Sequence, residues 1–518
     1  MKADLGFSSK PYSQAYASVG LEILDNFYVE AATSSTAKKG YYYVGIQGLH
    51  LLLASSGTNS CRGLFTTSGY RTFGVWGNAL VELTAAGTVR VNRGTLNSSA
   101  GIVRFAENGK QMILVDGERG YILDLTSSTF GQITDEYFPG VDSGDYTKGP
   151  SHVVCLDTYF LVNSRGTNKY YWSAPGYVPY AFDSTQPSVQ NLWWGTAYAQ
   201  KIGDTDNIVG IIALPTILGV FGNNSMEFHY DSGNTAGQVF RRQESSVVNF
   251  GCLSADSICR YGNGFYWLGQ DRSGTIGIFT VGMDFMPRRI STRGIETRIQ
   301  AYEKINDCWS YSYAVDGHAF VLFNFPSGTS EDGGGVTGAT WAYDVTTDTW
   351  TRRSRWQASE GRAYRYAGQF SAYNEAWGME ILGDWRSDAL YYLDNEQYFN
   401  HTQTGETEYI QARFTTPIGY ESNKMIIYDC LQLNHQPGFS PRTGQGSDPV
   451  WMMSSSNDTG LTFGYERSAS AGKTGEYRRR TRWLKLGMSR NKVFRFRASD
   501  PFKRVITGYT IDFRECSR

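Results

Sequence analysis

Tyr121-Ile-Leu-Asp-Leu-Thr-Ser-Ser-Thr-Phe130 and Trp341-Ala-Tyr-Asp-Val-Thr-Thr-Asp-Thr-Trp350 align without a gap. Both read aromatic-x-x-Asp-aliphatic-Thr-x-x-Thr-aromatic. The pattern describes a strand that ends at the Asp, a turn of Thr, Ser and Asp, and an aromatic that opens the return strand. Asp and Thr side chains bond turn amides, which is why they belong there. Weaker echoes are Leu80-Val-Glu-Leu-Thr-Ala-Ala-Gly-Thr-Val89, Ile278-Phe-Thr-Val-Gly-Met-Asp-Phe285 and Leu390-Tyr-Tyr-Leu-Asp-Asn395. Echoes about 40 to 60 residues apart match blades of four strands. The expected body is therefore an irregular β-propeller of five to seven blades.

Outward from the repeats, the rest of the chain agrees. Short apolar runs such as Leu49–Ala54, Gln111–Val115, Tyr159–Val162 and Ala319–Phe325 lie between turn signals. Aromatics make up 15% of the 518 residues and there are 58 Gly against 14 Pro, which suits pleated surfaces joined by tight turns. Only 19% of residues are charged, so disorder and coiled coil are excluded. After about Glu406 the pattern changes to strands near Tyr409–Phe414, Met425–Asn434, Val450–Ser454, Trp483–Leu486, Val493–Ala498 and Val505–Phe513, enough for a separate sandwich. The fold class read here is all-β, a propeller plus a C-terminal β-sandwich. The division is an N-terminal arm over 1–30, a propeller body over 31–405 and a sandwich with a basic face over 406–518.

Charge is uneven. The formal net charge is −1, yet residues 473–518 hold 14 Lys+Arg against 4 Asp+Glu, leaving the remainder with a net of −11. Arg478, Arg479, Arg480, Arg482, Arg495, Arg497, Lys503 and Arg504 form a candidate contact face. In a strand, Arg495-Phe496-Arg497 sends both arginines to one side and the phenylalanine to the other. Such a face could track DNA phosphates or dock an acidic surface of a neighbouring subunit, and docking is the favoured reading.

Ser456-Asn-Asp-Thr-Gly-Leu-Thr-Phe463 fits the Asp-box turn, with Ser456, Asp458, Gly460, Thr462 and Phe463 in the defining positions. The box is a structural turn, although sialidases carry several copies, so a carbohydrate-binding or sialidase-like propeller is the first rival reading. A DNA-binding module acting through the basic end is the second. The six His are dispersed, and no nucleophile elbow, P-loop or clustered metal-ligand motif is seen, so no catalytic, cofactor-binding or metal residue is assigned. The seven Cys read as reduced, buried residues. The most apolar stretch, Ile208–Phe221, is broken by Pro215 and too short to cross a bilayer, so no membrane insertion is expected.

An ordered set of segments resembles the packaged-DNA stabilisation proteins of short-tailed bacteriophages, the tail hub or nozzle family. It runs from Asn26-Phe-Tyr-Val-Glu30 through Gly101-Ile-Val-Arg-Phe-Ala-Glu-Asn-Gly-Lys110, Asn168-Lys-Tyr-Tyr-Trp-Ser-Ala174 and Phe221-Gly-Asn-Asn-Ser-Met-Glu-Phe228. It continues through Phe265-Tyr-Trp-Leu-Gly269, the Asp box, Trp483-Leu-Lys-Leu-Gly487 and Ser489-Arg-Asn-Lys-Val-Phe-Arg-Phe496. The resemblance implies a structural protein of the virion tail, assembled in the host bacterial cytoplasm, without catalysis or cofactor. It implies a ring of six copies below the portal and its adaptor that extends the DNA channel. The implied partners are other copies, the portal-adaptor, spike, fibre, needle or plug proteins, and genomic double-stranded DNA in the lumen.

Overall fold

The computed structural model describes residues 2–16, 22–32, 39–141, 144–177, 192–234, 237–244, 247–329, 335–420 and 424–516. Six separate sheets of four or five strands span 61–95, 104–132, 153–200, 208–242, 251–289 and 368–394. A seventh block of four strands, 309–357, has the same antiparallel order but continues into a larger sheet. Numbered along the chain, these are blades one to seven, at the upper end of the sequence expectation. The ring closes because Gly48–Leu53 supplies the outer strand of blade seven, pairing with Leu390–Asp394. A propeller closed by both ends of its own chain leaves few free edges.

The repeated decapeptides form the third and fourth strands of blades two and six. Asp124 Oδ1 accepts from the amides of Thr126 and Ser127 at 2.8 and 2.9 Å. Asp344 Oδ1 accepts from the Thr346 amide at 2.9 Å, and its other oxygen accepts from the Thr347 hydroxyl at 2.8 Å. Tyr121, Trp341 and Trp350 are buried between neighbouring blades. Ile208–Ala213 and Ile217–Gly222 form a hairpin around Pro215, which accounts for that apolar run. Among the described residues no helix is long and apolar enough to cross a membrane.

The C-terminal sandwich has two sheets. One runs in the order Phe27–Ala31, Tyr41–Gly45, Val505–Glu515, Ile426–His435, Thr481–Leu484. The other runs Leu24–Asp25, Ala412–Thr415, Asn491–Ala498, Val450–Ser456, Arg467–Ser470. Between them Phe27, Tyr43, Phe414, Leu431, Trp451, Phe496 and Ile511 are buried in one core. The same core takes in Phe323, Trp341 and Tyr343 of blade six.

The segment 1–30 is bonded into this domain. Lys2–Leu5 pairs along Val505–Glu515, and Leu24–Asp25 lies between Thr349–Gln357 of blade six and Ala412–Thr415 of the sandwich. Blade six and one sandwich layer are thereby a single sheet of eleven strands. Asn26 makes the switch from one layer to the other at φ 56°, a conformation asparagine tolerates better than most residues. Its side chain donates to the carbonyls of Ser354 and Gln411 and accepts from the Ser354 amide, at 2.8–3.0 Å.

The cysteines depart in part from expectation. Cys61, Cys252, Cys259 and Cys308 are buried, Cys155 and Cys430 are half-buried, and Cys516 is exposed; all seven are free thiols.

Candidate assembly face

The Asp-box residues make the turn between Val450–Ser456 and Arg467–Ser470, at an end of the sandwich and away from the propeller. Asp458 Oδ1 accepts from the Ser456 hydroxyl at 2.5 Å and the Thr462 amide at 2.9 Å, and its second oxygen from the Thr462 hydroxyl at 2.5 Å. These bonds hold the carboxyl well below its ordinary range. Gly460 sits at φ 98°, where a side chain would strain the backbone. Phe463 lies under the Arg495 guanidinium, 4.1 Å from its carbon to the ring centre. The turn is therefore a strut that fixes one arginine.

The basic residues divide into three groups. Arg478, Arg479, Arg480 and Arg482 are exposed on the segment leading into Thr481–Leu484. Arg479 and Arg480 border a groove of about 620 Å³ that also contains Lys39, Asn434 and His435. Arg482 Nε donates to Gln432 at 2.8 Å. Arg495 and Arg497 stand on the other sheet, with Phe496 buried behind them, as the alternation predicts. Arg497 is already paired with Glu466, and Lys503 lies over the Phe439 ring.

Arg504 is the departure. It is 2% exposed and donates inward to the carbonyls of Asp500 and Ile410 at 2.7 and 3.2 Å. Burial pushes its pKa down to about 10. An inward guanidinium cannot stand on an exposed contact face, so Arg504 leaves the candidate face; of the rest, Arg478, Arg479, Arg480 and Arg482 are the exposed members.

A second set of charged residues, not found from sequence, joins the domains. Buried Asp25 accepts from Tyr12 at 2.5 Å and from Arg413 at 2.6 and 2.9 Å. Burial opposes its charge, but Arg413 and Arg352 outweigh it and keep the carboxyl below its usual range. His318 of blade six bridges Asp344 at 2.6 Å and Glu30 of the sandwich at 2.7 Å. Its burial favours the neutral ring, yet the two carboxylates raise its pKa. Arg355 is held bidentate by Glu408, at 2.6 and 3.1 Å. Asp25 and Arg413 are 388 positions apart and Glu30 and His318 are 288 apart, separations that leave no spacing signal.

The inner strands of all seven blades surround a central cavity of about 510 Å³, bordered by Arg104, Glu107, His152 and Arg260. His152 is buried there with its pKa well below the ordinary value, from burial and the nearby Arg104. The cavity is far too small for a duplex roughly 20 Å across.

A family model described as Bacteriophage P22 Gp10, beta-propeller, matches residues 22–398, and one described as Bacteriophage P22 Gp10, beta-sandwich, matches residues 411–514. No curated protein matches the chain. Among solved structures, a chain from the crystal structure of a mitotic checkpoint complex is 10% identical, with a TM-score of 0.39 over 70% of this chain and 98% of that one. A likeness at that score carries no argument here.

Proposed function

This chain belongs to the bacteriophage P22 Gp10 family of structural tail proteins, and on that premise we propose that six copies form a ring below the portal-adaptor. The ring extends the DNA channel, retains the packaged genome and conducts it during ejection. The observation that carries this reading is the match of both family models, in order, across nearly the whole chain. The small central cavity of each propeller supports it from another side, because a duplex then has to pass between copies rather than through one.

The proposal includes the contacts. The exposed group Arg478, Arg479, Arg480 and Arg482 meets the acidic surface of a neighbouring copy, and the acidic body, with its net of −11, borders most of the lumen. A wall of fixed cations would hold phosphates and slow ejection. Spike, fibre, needle or plug proteins and the portal-adaptor bind the outer faces of the ring, in a tail assembled in the host cytoplasm. Of the divisions 1–30, 31–405 and 406–518, the arm is tied to the last strand, the body acts as the propeller except for Tyr41–Gly45, which pairs in the sandwich, and the last acts as the sandwich. The chain works as a rigid part and not as an enzyme.

Electron microscopy of the concentrated protein, alone and with the adaptor, tests the reading. Rings with an axial hole of at least roughly 20 Å are expected. Separate propellers in both samples would overturn it.

A further inference from the structure

We propose that a cavity of about 830 Å³ between blades six and seven and the hairpin after them is a binding site for a neutral saccharide. One wall is the antiparallel pair Thr349–Gln357 and Arg362–Arg365, and another is the hairpin Phe399–His401 with Thr407–Tyr409. The turn after Met379–Asp384 adds Trp385 and Arg386. The volume lies in the range of small-ligand sites, ~300–1,000 Å³.

Four aromatic rings border the space: Trp356, Tyr364, Trp385 and Tyr409. Tyr409 is 37% exposed and Trp356 half-buried, so their surfaces are available to a ligand. The Trp385 ring is packed under Arg365, 4.1 Å from the guanidinium carbon, and its buried Nε1 has no acceptor among the described residues.

Charge decides the ligand class. Arg355 is matched by Glu408 and Arg386 by Asp384 at 2.8 Å, while Glu360 accepts from the Tyr364 hydroxyl and keeps its charge, and Glu406 adds a further carboxylate to the border. Both lining arginines are paired and the lining carboxylates outnumber them, so a phosphate, a nucleotide or a DNA strand is disfavoured. What remains is aromatic surface, the Glu360 and Glu406 carboxylates, which can accept from hydroxyls, and the Gln403 amide. A pyranose has apolar C–H faces that stack on such rings and hydroxyls that both donate and accept to planar polar groups. The site lies outside the central cavity of the propeller and on different residues from the basic face, so it stands whether or not the ring forms.

The test uses the full chain under conditions where light scattering reports a monomer. Tryptophan fluorescence and saturation-transfer NMR are followed against the methyl glycosides of glucose, galactose, mannose and rhamnose. Saturable binding of at least one glycoside is expected, with a dissociation constant of about 1–10 mM. Trp356→Ala should weaken it tenfold or more. Tyr409→Ala, at an exposed position, should weaken it several-fold with an unchanged thermal midpoint, which keeps the test open if Trp356→Ala fails to fold. Tyr465→Ala, on the distant sandwich, should leave it unchanged. No saturable response to any glycoside would overturn the proposal. So would folded Tyr409→Ala binding as tightly as the parent, or equal loss in Tyr465→Ala.

Discussion

At the scale of single residues, burial decides what a charge can do. Arg504 spends its donors on the carbonyls of Asp500 and Ile410. Arg504→Met should therefore lower unfolding free energy by roughly 2–3 kcal/mol in urea, because the two carbonyls lose a charged donor. It should leave ring formation and the salt dependence of DNA binding unchanged, which a parallel Arg478→Glu control separates. Glu380 is the converse case. Burial in blade seven, opposed by a Ser371 hydrogen bond, pushes its carboxyl up to about 8, against 4.5 ordinarily. The folded state then holds a proton that the unfolded chain has released, so stability falls as pH rises from 4.5 towards 8, by at most about 1.4 kcal/mol per unit. Urea midpoints should drop across that window and flatten in Glu380→Gln. The sequence revealed the side to which Arg495, Phe496 and Arg497 point, because alternation is a local property of a strand. It did not reveal that Arg504 turns inward, because its acceptor at Ile410 is distant in sequence.

At the scale of elements, strands and turns were legible and their partners were not. Gln111–Val115 was bounded to the residue, and the Asp-Thr turns bond as their chemistry predicts, since both depend on a few adjacent residues. The closing strand Gly48–Leu53 was visible as an apolar run, but its place in blade seven depends on chain ends meeting across the whole body. That strand has a sharp requirement at its first position. A Cβ on Gly48 would fall 2.2 Å from the Phe399 carbonyl oxygen and 2.7 Å from that of Gln397. Gly48→Ala should displace the turn that carries both carbonyls and lower the thermal midpoint by several degrees, about 2 kcal/mol or more. Hydrogen exchange should show the loss at Leu390–Asp394 first, with blades two to four unaffected. Equal exchange in every blade would contradict a local closure.

At the scale of the whole molecule, the two domains share more than a linker. Sequence composition separated a body from a basic end over 473–518, which lies within the sandwich family match at 411–514 up to its last four residues. It could not show that nine strands run in one unbroken path from blade six into the sandwich, because Leu24–Asp25 is too short to read as a strand. A rigid joint of this kind should transmit the position of the basic face to the propeller. Reversing Arg478, Arg479 and Arg480 to Glu should then reduce ring formation in sedimentation while the thermal midpoint stays within a degree or two, as expected for exposed charges. Raising salt should weaken the parent ring in the same direction. The order in which the chain leaves the ribosome adds a different consequence. Gly48–Leu53 is synthesised early and its partner Leu390–Asp394 late, and Lys2–Leu5 waits still longer for Val505–Glu515. At roughly 5–20 residues per second, Gly48–Leu53 spends on the order of tens of seconds without its partner. Closure of blade seven therefore waits on the late strand, and its yield is governed by whatever shields the early strands in the interval.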